Sequence, residues 1–269
     1  MPPDTNRMRL QSITVTAGRD KSGNPETRDI IFRSGEITAL LGPTGSGKSR
    51  FLSDVESLAD GDTPTGRRLL IDGAAPAPDD RFELQGRLVA QLTQNMNFVL
   101  DMGAADFIHA HAESRNIEDP KAVADRVIAA ANHLAGEPFD SATQLTALSG
   151  GQSRALMIAD TALLSESPVL LIDEIENAGV DKRGALELLL KSDKIIVIAT
   201  HDPVLALSAD RRLVLENGAV KHLLFRTEAE ARLLAELSKT EARLTRIRTA
   251  LRTGTPFAPE DARPESTAS

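Results

Sequence analysis

The pattern of apolar and polar residues predicts a first third of the chain that is rich in strands. Short runs that are apolar, or that alternate apolar with polar residues, are typical of strands. They lie at residues 10–16, 30–32, 36–41, 67–71 and 87–92. Residues 51–58 have helical spacing of their apolar positions, and a Pro/Ala/Asp-rich loop is predicted at 72–80.

After residue 95 the pattern becomes helical. Ala-rich helices are predicted at 104–111 and 120–134, and Asp119-Pro120 is a typical helix start for the second. We interpret residues 95–147 as a helical insertion in an α/β core. Beyond residue 150 helices and strands alternate, which predicts a parallel sheet. The helices are expected at 152–164, 181–190 and 203–207, the strands at 169–172 and 194–199, and a closing hairpin at 212–215 and 220–225.

The C-terminal part of the chain is predicted to be a charged helix at 227–251 followed by a disordered tail at 254–269. Thr240 interrupts the apolar seam of this helix, and two to three heptads are short for a coiled coil. Two interpretations stay open: a helix packed on its own domain, and a helix that binds a partner. The residues near heptad positions are Leu233, Leu237, Leu244, Ile247 and Leu251.

Composition narrows the function classes. The chain is 41% apolar and 26% charged, as in soluble globular proteins. A formal net charge of −8 argues against broad electrostatic binding of nucleic acid. There is no cysteine, so thiolate metal sites and disulfides are excluded. No secretory signal and no apolar run of about 18 residues is found. A soluble protein is expected, and another chain would supply any membrane part.

Chemistry enters with a glycine-rich loop between a predicted strand and a predicted helix. It fits the pattern Gly, four residues, Gly-Lys-Ser, which cradles phosphates with backbone N–H groups. Lys48 is expected to reach the β- and γ-phosphates, and Ser49 to ligate Mg²⁺. The helix N-terminus adds attraction for anions. The candidate nucleotide-binding residues are Gly42, Pro43, Thr44, Gly45, Ser46, Gly47, Lys48, Ser49 and the following Arg50.

Two further motifs extend this site. Asp173 and Glu174 follow an apolar strand, at the strand end where open α/β sheets bind ligands. Asp173 is expected to hold Mg²⁺ and Glu174 to orient or deprotonate water. Leu148-Ser149-Gly150-Gly151-Gln152 opens a helix and predicts a second anion site. Two phosphate cradles in one chain indicate that the second completes a site on another copy.

With these motifs in this order, the chain resembles an ATPase subunit of the ATP-binding cassette (ABC) family over residues 8–225. The resemblance implies a P-loop NTPase core of the ABC type: a mixed sheet with helices, an antiparallel β subdomain, and a helical subdomain at about 95–155. The ATPase domain would span 1–225, followed by a helical extension at 226–253. Gly42–Ser49 matches Walker A, Asp173 with Glu174 matches Walker B and the catalytic glutamate, and Ser149, Gly150, Gly151 and Gln152 match the signature motif.

The resemblance also assigns two residues outside these motifs. His201, in Ala-Thr-His-Asp after a strand, matches the switch histidine that contacts the γ-phosphate. Gln94 fits the Q-loop glutamine, which touches the metal or the attacking water. Gln91 is the weaker candidate because it lies inside the predicted strand. His109 and His111 are interpreted as surface histidines rather than metal ligands.

Three departures from the family pattern stand out. The adenine-stacking aromatic is absent near residues 16–19, where Arg19 could stack instead. The segment after Walker B reads Ile-Glu-Asn-Ala-Gly-Val-Asp, with its Asp one residue late and Glu176 as an additional acid. The C-terminal helix and tail lie outside the family core.

The resemblance implies ATP and Mg²⁺ as cofactors and a head-to-tail dimer, either a homodimer or a pair of related subunits. The expected function is the energising subunit of a transporter, with a separate transmembrane permease, at the cytoplasmic face of the membrane. An alternative is a soluble ATPase that remodels a protein or metalloenzyme complex. A nucleotide-gated binding module with little turnover is a third class, which Glu174, His201 and Gln94 argue against.

Overall fold

The structure is a computed structural model, and it describes residues 10–93, 98–173, 180–190 and 193–257. The chain divides into two compact units, one up to Phe225 and one from Arg226 onwards. The strands of the described residues are β1 (Ser12–Val15), β2 (Ile30–Arg33), β3 (Ile37–Leu41), β4 (Leu69–Ile71), β5 (Val89–Leu92), β6 (Val169–Asp173), β7 (Ile195–Ala199), β8 (Arg211–Glu216) and β9 (Ala219–Phe225). The helices are α1 (Lys48–Glu56), α2 (Arg81–Leu88), α3 (Ala104–Ser114), α4 (Pro120–Leu134), α5 (Gly150–Leu163), α6 (Lys182–Leu190), α7 (Pro203–Ser208) and α8 (Glu228–Thr253).

The first unit contains two sheets. A three-stranded antiparallel sheet has the order β2-β1-β4, and a six-stranded sheet has the order β5-β6-β7-β3-β8-β9. In the larger sheet β5, β6, β7, β3 and β8 run parallel, and β9 returns antiparallel to β8. The prediction of a mixed α/β fold with an antiparallel β sheet and a helical segment is confirmed.

The central parallel strands β3, β6 and β7 are buried on both faces, and consecutive side chains enter different cores. Leu170 and Ile172 of β6 join a cluster with helices α3, α4 and α5. Val169 and Leu171 join a second cluster with the antiparallel sheet and α1. Because side chains alternate along a strand, one apolar run supplies both cores. The helical segment is thereby attached to one face of the sheet.

One predicted boundary is wrong. The strand expected at 87–92 begins only at Val89, and α2 occupies residues 81–86, for which no element was predicted, together with the first two residues of the expected strand. Leu84 and Leu88 are one helical turn apart, and Leu88 is completely buried while Leu84 packs on the same cluster. Arg81 also anchors this helix, since its guanidinium donates to the Ser57 carbonyl and to Asp62. Gly86 weakened the helical signal in the sequence.

The second unit is built around α8, which was predicted from its sequence pattern. Thr227 and Glu230 form a capping box at its start, and Gly254 ends it with φ of 68°. None of the residues of α8 is buried. Among the described residues, no helix is both long enough and apolar enough to cross a lipid bilayer.

Candidate functional site

The sheet register brings three of the predicted motifs to one edge. Leu40 of β3 is the register partner of Ala199 in β7, and Asp173 of β6 is also a partner of Ala199. These strands are parallel neighbours, so their carboxyl ends lie side by side. The glycine-rich loop follows β3, and His201 follows β7. Gly42–Ser49, Asp173 and His201 therefore converge at the carboxyl edge of the sheet.

Backbone conformation explains the glycines of the loop. Gly42, Gly45 and Gly47 have φ of 143°, 79° and 107°, a region that side chains disfavour. A Cβ atom at Gly42 would lie 2.4 Å from the Leu215 carbonyl oxygen, and one at Gly47 would lie 2.8 Å from the Cα of Gly218. The β8–β9 turn thus packs directly on the loop, and the Gly218 N–H donates to the Ser46 carbonyl at 2.7 Å.

Helix α1 begins immediately after this loop, and Gly47 caps it without a side-chain hydrogen bond. The N–H groups of the first helical turn have no acceptor within the helix, so they are available to an anion. Lys48 Nζ donates to the carbonyls of Gly42 and Pro43, at 2.8 and 3.4 Å, and so folds back over the loop. Arg50 and Thr44 are exposed beside it. The arrangement is suited to binding a phosphate group.

Lys21 is a cation of this site that the sequence pattern alone did not mark. Its Nζ donates to the Gly45 carbonyl at 2.6 Å, and its backbone N–H donates to the Asn217 carbonyl. It lies two residues after Arg19, the residue considered as a stacking group for the base. The Arg19 guanidinium lies against Gly66, and its Nη2 is 3.0 Å from the position that a Cβ atom of residue 66 would take.

A buried ionic cluster supports the loop from behind, and we call it the Arg67 cluster. The Arg67 side chain is 1% exposed and donates two hydrogen bonds to Glu26, both at 2.8 Å. It also donates to Asp54 of α1 at 3.2 Å and to the Gly218 carbonyl at 2.7 Å. Burial raises the pKa of Glu26, but hydrogen bonds from Arg67 and the Val220 N–H outweigh this, and the net shift is downward. One side chain thus joins the antiparallel sheet, the loop helix and the β8–β9 turn.

A second polar cluster holds the segment after β7. Asp202 caps α7 by accepting hydrogen bonds from the Val204 and Leu205 N–H groups, and it accepts one from Lys182 Nζ at 2.5 Å. Burial raises the pKa of Asp202, whereas hydrogen bonds from Lys182 and the Leu205 N–H lower it, and the net shift is downward. This clamp fixes the backbone beside His201, which is exposed at the same edge.

The predicted magnesium ligands lie close to each other. Ser49 Oγ is 3.5 Å from Asp173 Oδ2. A hydroxyl and a carboxylate are hard oxygen donors, and Mg²⁺ typically takes one or two protein ligands together with phosphate oxygens and water. Within the described ranges no group of three or more His, Cys, Asp and Glu could hold a metal. The pair therefore fits Mg²⁺ of a nucleotide complex rather than a metal held by the protein alone.

Several residues singled out in the sequence do not contribute to the described part of the site. Gln94, Glu174 and Glu176 lie outside the described residues. Gln91, the weaker Q-loop candidate, is in β5, where its amide nitrogen can donate to the Glu56 carboxylate at 2.8 Å. His111, interpreted as a surface residue, is partly buried, with Nδ1 2.8 Å from Asp160 Oδ1.

The signature motif begins a different helix. Ser149 and Gln152 form a capping box at the start of α5, through the Gln152 N–H to the Ser149 hydroxyl and the Ser149 N–H to Gln152 Oε1. The Gln152 amide also donates to the carbonyls of Glu137 and Pro138. These contacts all stay within the helical segment. Ser149 and Gly150 are exposed, so the N-terminus of α5 is accessible.

A glycine loop at the carboxyl end of a parallel strand, a lysine folded over it and an adjacent Ser–Asp pair define a P-loop nucleotide-binding protein. The comparisons with known proteins make this more specific. The family model described as ABC transporter matches residues 27–177. The chain therefore belongs to the ABC transporter family, as its ATP-binding, ATP-hydrolysing component.

Individual relatives agree. An uncharacterised ABC transporter ATP-binding protein of Methanocaldococcus jannaschii is 47% identical over 255 residues, covering 94% of this chain and 97% of that protein. An ATP-dependent lipid A-core flippase of Ralstonia nicotianae is 29% identical over 225 residues, which are 79% of this chain but only 37% of the flippase.

Solved structures show the same fold. The CbiO1 protein of Clostridium perfringens, described as part of the ABC transporter complex CbiONQ, aligns with a TM-score of 0.61 and 23% identity, over 91% of this chain and all of that one. A dimeric ATP-binding cassette bound to ADP and Pi aligns with a TM-score of 0.59 and 20% identity, over 80% of this chain and 99% of that one.

Proposed function

We propose that two copies of this chain bind two ATP molecules head to tail and that their closure and release drive a membrane permease. The observation that carries the proposal is the division of the site. The P-loop, Asp173 and His201 share one sheet edge, whereas Ser149–Gln152 opens α5 and, among the described residues, forms its side-chain hydrogen bonds within its own helical segment. An exposed helix N-terminus is suited to a phosphate from a second copy.

Within each site the P-loop side stabilises charge on the transferred phosphoryl group. Lys48 exchanges the carbonyls of Gly42 and Pro43 for phosphate oxygens, and the first N–H groups of α1 bind the same anion. Ser49 and Asp173 would hold Mg²⁺, which when bound neutralises charge on the β- and γ-oxygens. The protein's contribution is to place these donors in advance, so that they need no reorganisation during reaction.

The remaining roles are assigned by position in the motifs. Glu174 directly follows Asp173 and would orient or deprotonate the attacking water. Gln94 would contact the same water or the metal. His201 would brace the γ-phosphate, and the Asp202 clamp would limit the motion of its backbone. Ser149, Gly150, Gly151 and Gln152 of the other copy would close the site.

The partner proposal rests on the relatives. The M. jannaschii relative, which matches nearly end to end, is named an ABC transporter ATP-binding protein, and the flippase contains much more chain than this protein. We therefore propose a separate permease that docks at the cytoplasmic face of the membrane. The soluble remodelling ATPase is the less favoured alternative, because the relatives named above are described as transporter components or flippases.

Glu174→Gln tests the catalytic assignment. We expect this variant to bind ATP, to lose turnover by on the order of a hundredfold or more, and to accumulate as a dimer in size-exclusion chromatography with ATP. Glu166→Gln, an exposed acid before β6, is the matched control and should behave as wild type. Near-normal turnover of Glu174→Gln would refute the role of this glutamate.

A cross-link tests the shared site. The chain contains no cysteine, so Thr44→Cys and Gly150→Cys can be introduced together as the only thiols. With ATP, mild oxidation should yield covalent dimers, and the same pair combined with Lys48→Ala should yield few. A cross-linked monomer instead would show that both cradles lie in one chain.

A pull-down in mild detergent tests the partner. Co-purification of a protein with several membrane-spanning segments supports transport. Recovery of a soluble enzyme instead would favour the remodelling ATPase.

A further inference from the structure

Helix α8 carries an apolar seam that its own unit does not bury. Taking Leu233 as heptad position d, the seam continues with spacings of 4, 3, 4, 3 and 4 residues. Leu233 is 46% exposed, Leu244 42% and Leu251 67%. The six seam positions are Leu233, Leu237, Thr240, Leu244, Ile247 and Leu251.

The seam is symmetric about residue 242 when the helix is paired with an antiparallel copy of itself. Each pair of opposed residues then has numbers that sum to 484, and a position d always meets a position a of the other copy. The layers are Leu233 with Leu251 of the second copy, Leu237 with Ile247, and Thr240 with Leu244. By symmetry each layer occurs twice, so both threonines lie near the centre and each faces a leucine.

Charges beside the seam distinguish the two possible directions. The flanking positions g are Glu236 and Arg243, and the flanking positions e are Glu241 and Arg248. In an antiparallel pair, g faces g and e faces e, so Glu236 meets Arg243 of the second copy and Glu241 meets Arg248. Two-fold symmetry doubles these contacts to four pairs of opposite charge. The axis near residue 242 also brings Arg243 and Glu241 close to their own counterparts, so two like-charge contacts offset part of this attraction.

A parallel, in-register pair would have the opposite electrostatics. There g of one copy faces the following e of the other, which places Glu236 against Glu241 and Arg243 against Arg248. All of these contacts join like charges. The same asymmetry is visible over the whole helix: the four glutamates occupy residues 228–241, and residues 242–253 contain four arginines and no acid.

We propose that α8 is a self-association helix that pairs antiparallel with α8 of a second copy of this chain. The partner is a second copy because one sequence supplies both the apolar layers and all the complementary charges. The contact does not involve the nucleotide site, so it would hold two copies together without ATP. It thereby raises the effective concentration at which their cassettes meet.

Single-cysteine variants of the full chain test the direction. Leu233→Cys and Leu251→Cys are prepared separately, then mixed and oxidised without nucleotide. Antiparallel pairing predicts cross-linking in the mixture only, because each cysteine is about 27 Å from its own copy, the rise of 18 helical residues. Cross-linking of each variant with itself, at the level of the mixture or above, would show parallel pairing and overturn the proposal.

Charge reversal tests the energetics by sedimentation equilibrium, again without nucleotide. Arg243→Glu with Arg248→Glu turns all four opposed contacts into like-charge contacts, so we expect the dimer dissociation constant to rise at least about tenfold. Adding Glu236→Arg and Glu241→Arg restores the opposed signs and should restore the dimer. Arg246→Glu with Arg252→Glu is the matched control: it changes the charge equally but lies off the seam, and it should leave the constant nearly unchanged.

The pairing of α8 can be tested independently of the proposed ATP site shared between two copies. The pairing is measured in the Lys48→Ala variant without ATP, where the cassette dimer is not expected, and helicity is checked by circular dichroism. A Lys48→Ala protein that stays monomeric up to about 100 μM, an affinity at the weak end for proteins, would overturn the proposal. Equal effects of the charge reversal beside the seam and of the control reversal would also overturn the proposal. They would indicate that a different partner binds this helix.

Discussion

Replacing Arg67 with methionine removes the guanidinium from the Arg67 cluster while keeping much of the side-chain volume. The variant loses two hydrogen bonds to Glu26, one to Asp54 and one to the Gly218 carbonyl. It also loses the contact of the guanidinium with the Phe51 ring, 4.9 Å from the ring centroid. Two carboxylates that are 5% and 1% exposed would remain without their cation.

The expected loss of folding free energy follows from the two carboxylates that stay buried without Arg67. Removing one partner of a buried ion pair typically costs about 3–5 kcal/mol, because the remaining charge stays buried. Glu26 keeps the N–H groups of Gly18 and Val220, and Asp54 keeps the Thr65 hydroxyl. We therefore expect the lower end of this range, about 3 kcal/mol, which is a large part of a typical total of about 5–15 kcal/mol.

Urea unfolding followed by circular dichroism at fixed protein concentration measures this loss, since the chain has neither Trp nor Tyr. The adjacent Arg68 is an ideal matched control. It is 63% exposed and its Nε lies 3.7 Å from an exposed Asp60, so Arg68→Met should cost less than about 1 kcal/mol. Equal losses in the two variants would refute the importance of the buried cluster.

The pH dependence gives the same experiment a second readout. The pKa of Glu26 is below its ordinary value, so its stabilisation is present above that value and is lost as the pH falls through the folded-state pKa. Without Arg67, burial dominates and Glu26 takes up a proton more readily. The difference between wild type and Arg67→Met should therefore shrink from pH 7 to pH 4. A difference that grows on acidification would contradict this account.

Three further predictions concern the edge of the sheet. Gly47→Ala should lower the ATP affinity measured by calorimetry and destabilise the fold by at least about 1 kcal/mol, because Gly47 has a positive φ and Gly218 packs against it. The control is Gly86→Ala on α2, where a Cβ atom would meet open space, and this variant should be neutral or stabilising. Lys48→Ala should raise the ATP dissociation constant about 10- to 100-fold, as expected for a charged hydrogen bond, and an unchanged affinity would refute the site. Asp202→Ala should cost about 1–2 kcal/mol at pH 7 through the lost α7 cap. This loss should diminish as the pH falls below 3.8, the ordinary pKa of an aspartate, and through the lower folded-state pKa of Asp202.

The sequence by itself determined the elements whose signals are local. Periodicity identified the strands of the parallel sheet, and the Asp119-Pro120 start of α4 and the Asn-Gly turn of the hairpin have local steric causes. The P-loop was recognisable because phosphate binding requires those residue types at that spacing. Where the signal was weak, as at Gly86 in α2, the local prediction was wrong.

Only the tertiary structure decided which distant residues meet. Arg67 donates hydrogen bonds to residues up to 151 positions away in the sequence. Lys21, in a loop that precedes the P-loop, donates to the Gly45 carbonyl. Gly47 needs to be glycine partly because Gly218 packs on it, which no local pattern contains. The physical reason is the same in each case: burial and charge compensation depend on contacts across elements, whereas periodicity and capping depend on neighbours along the chain.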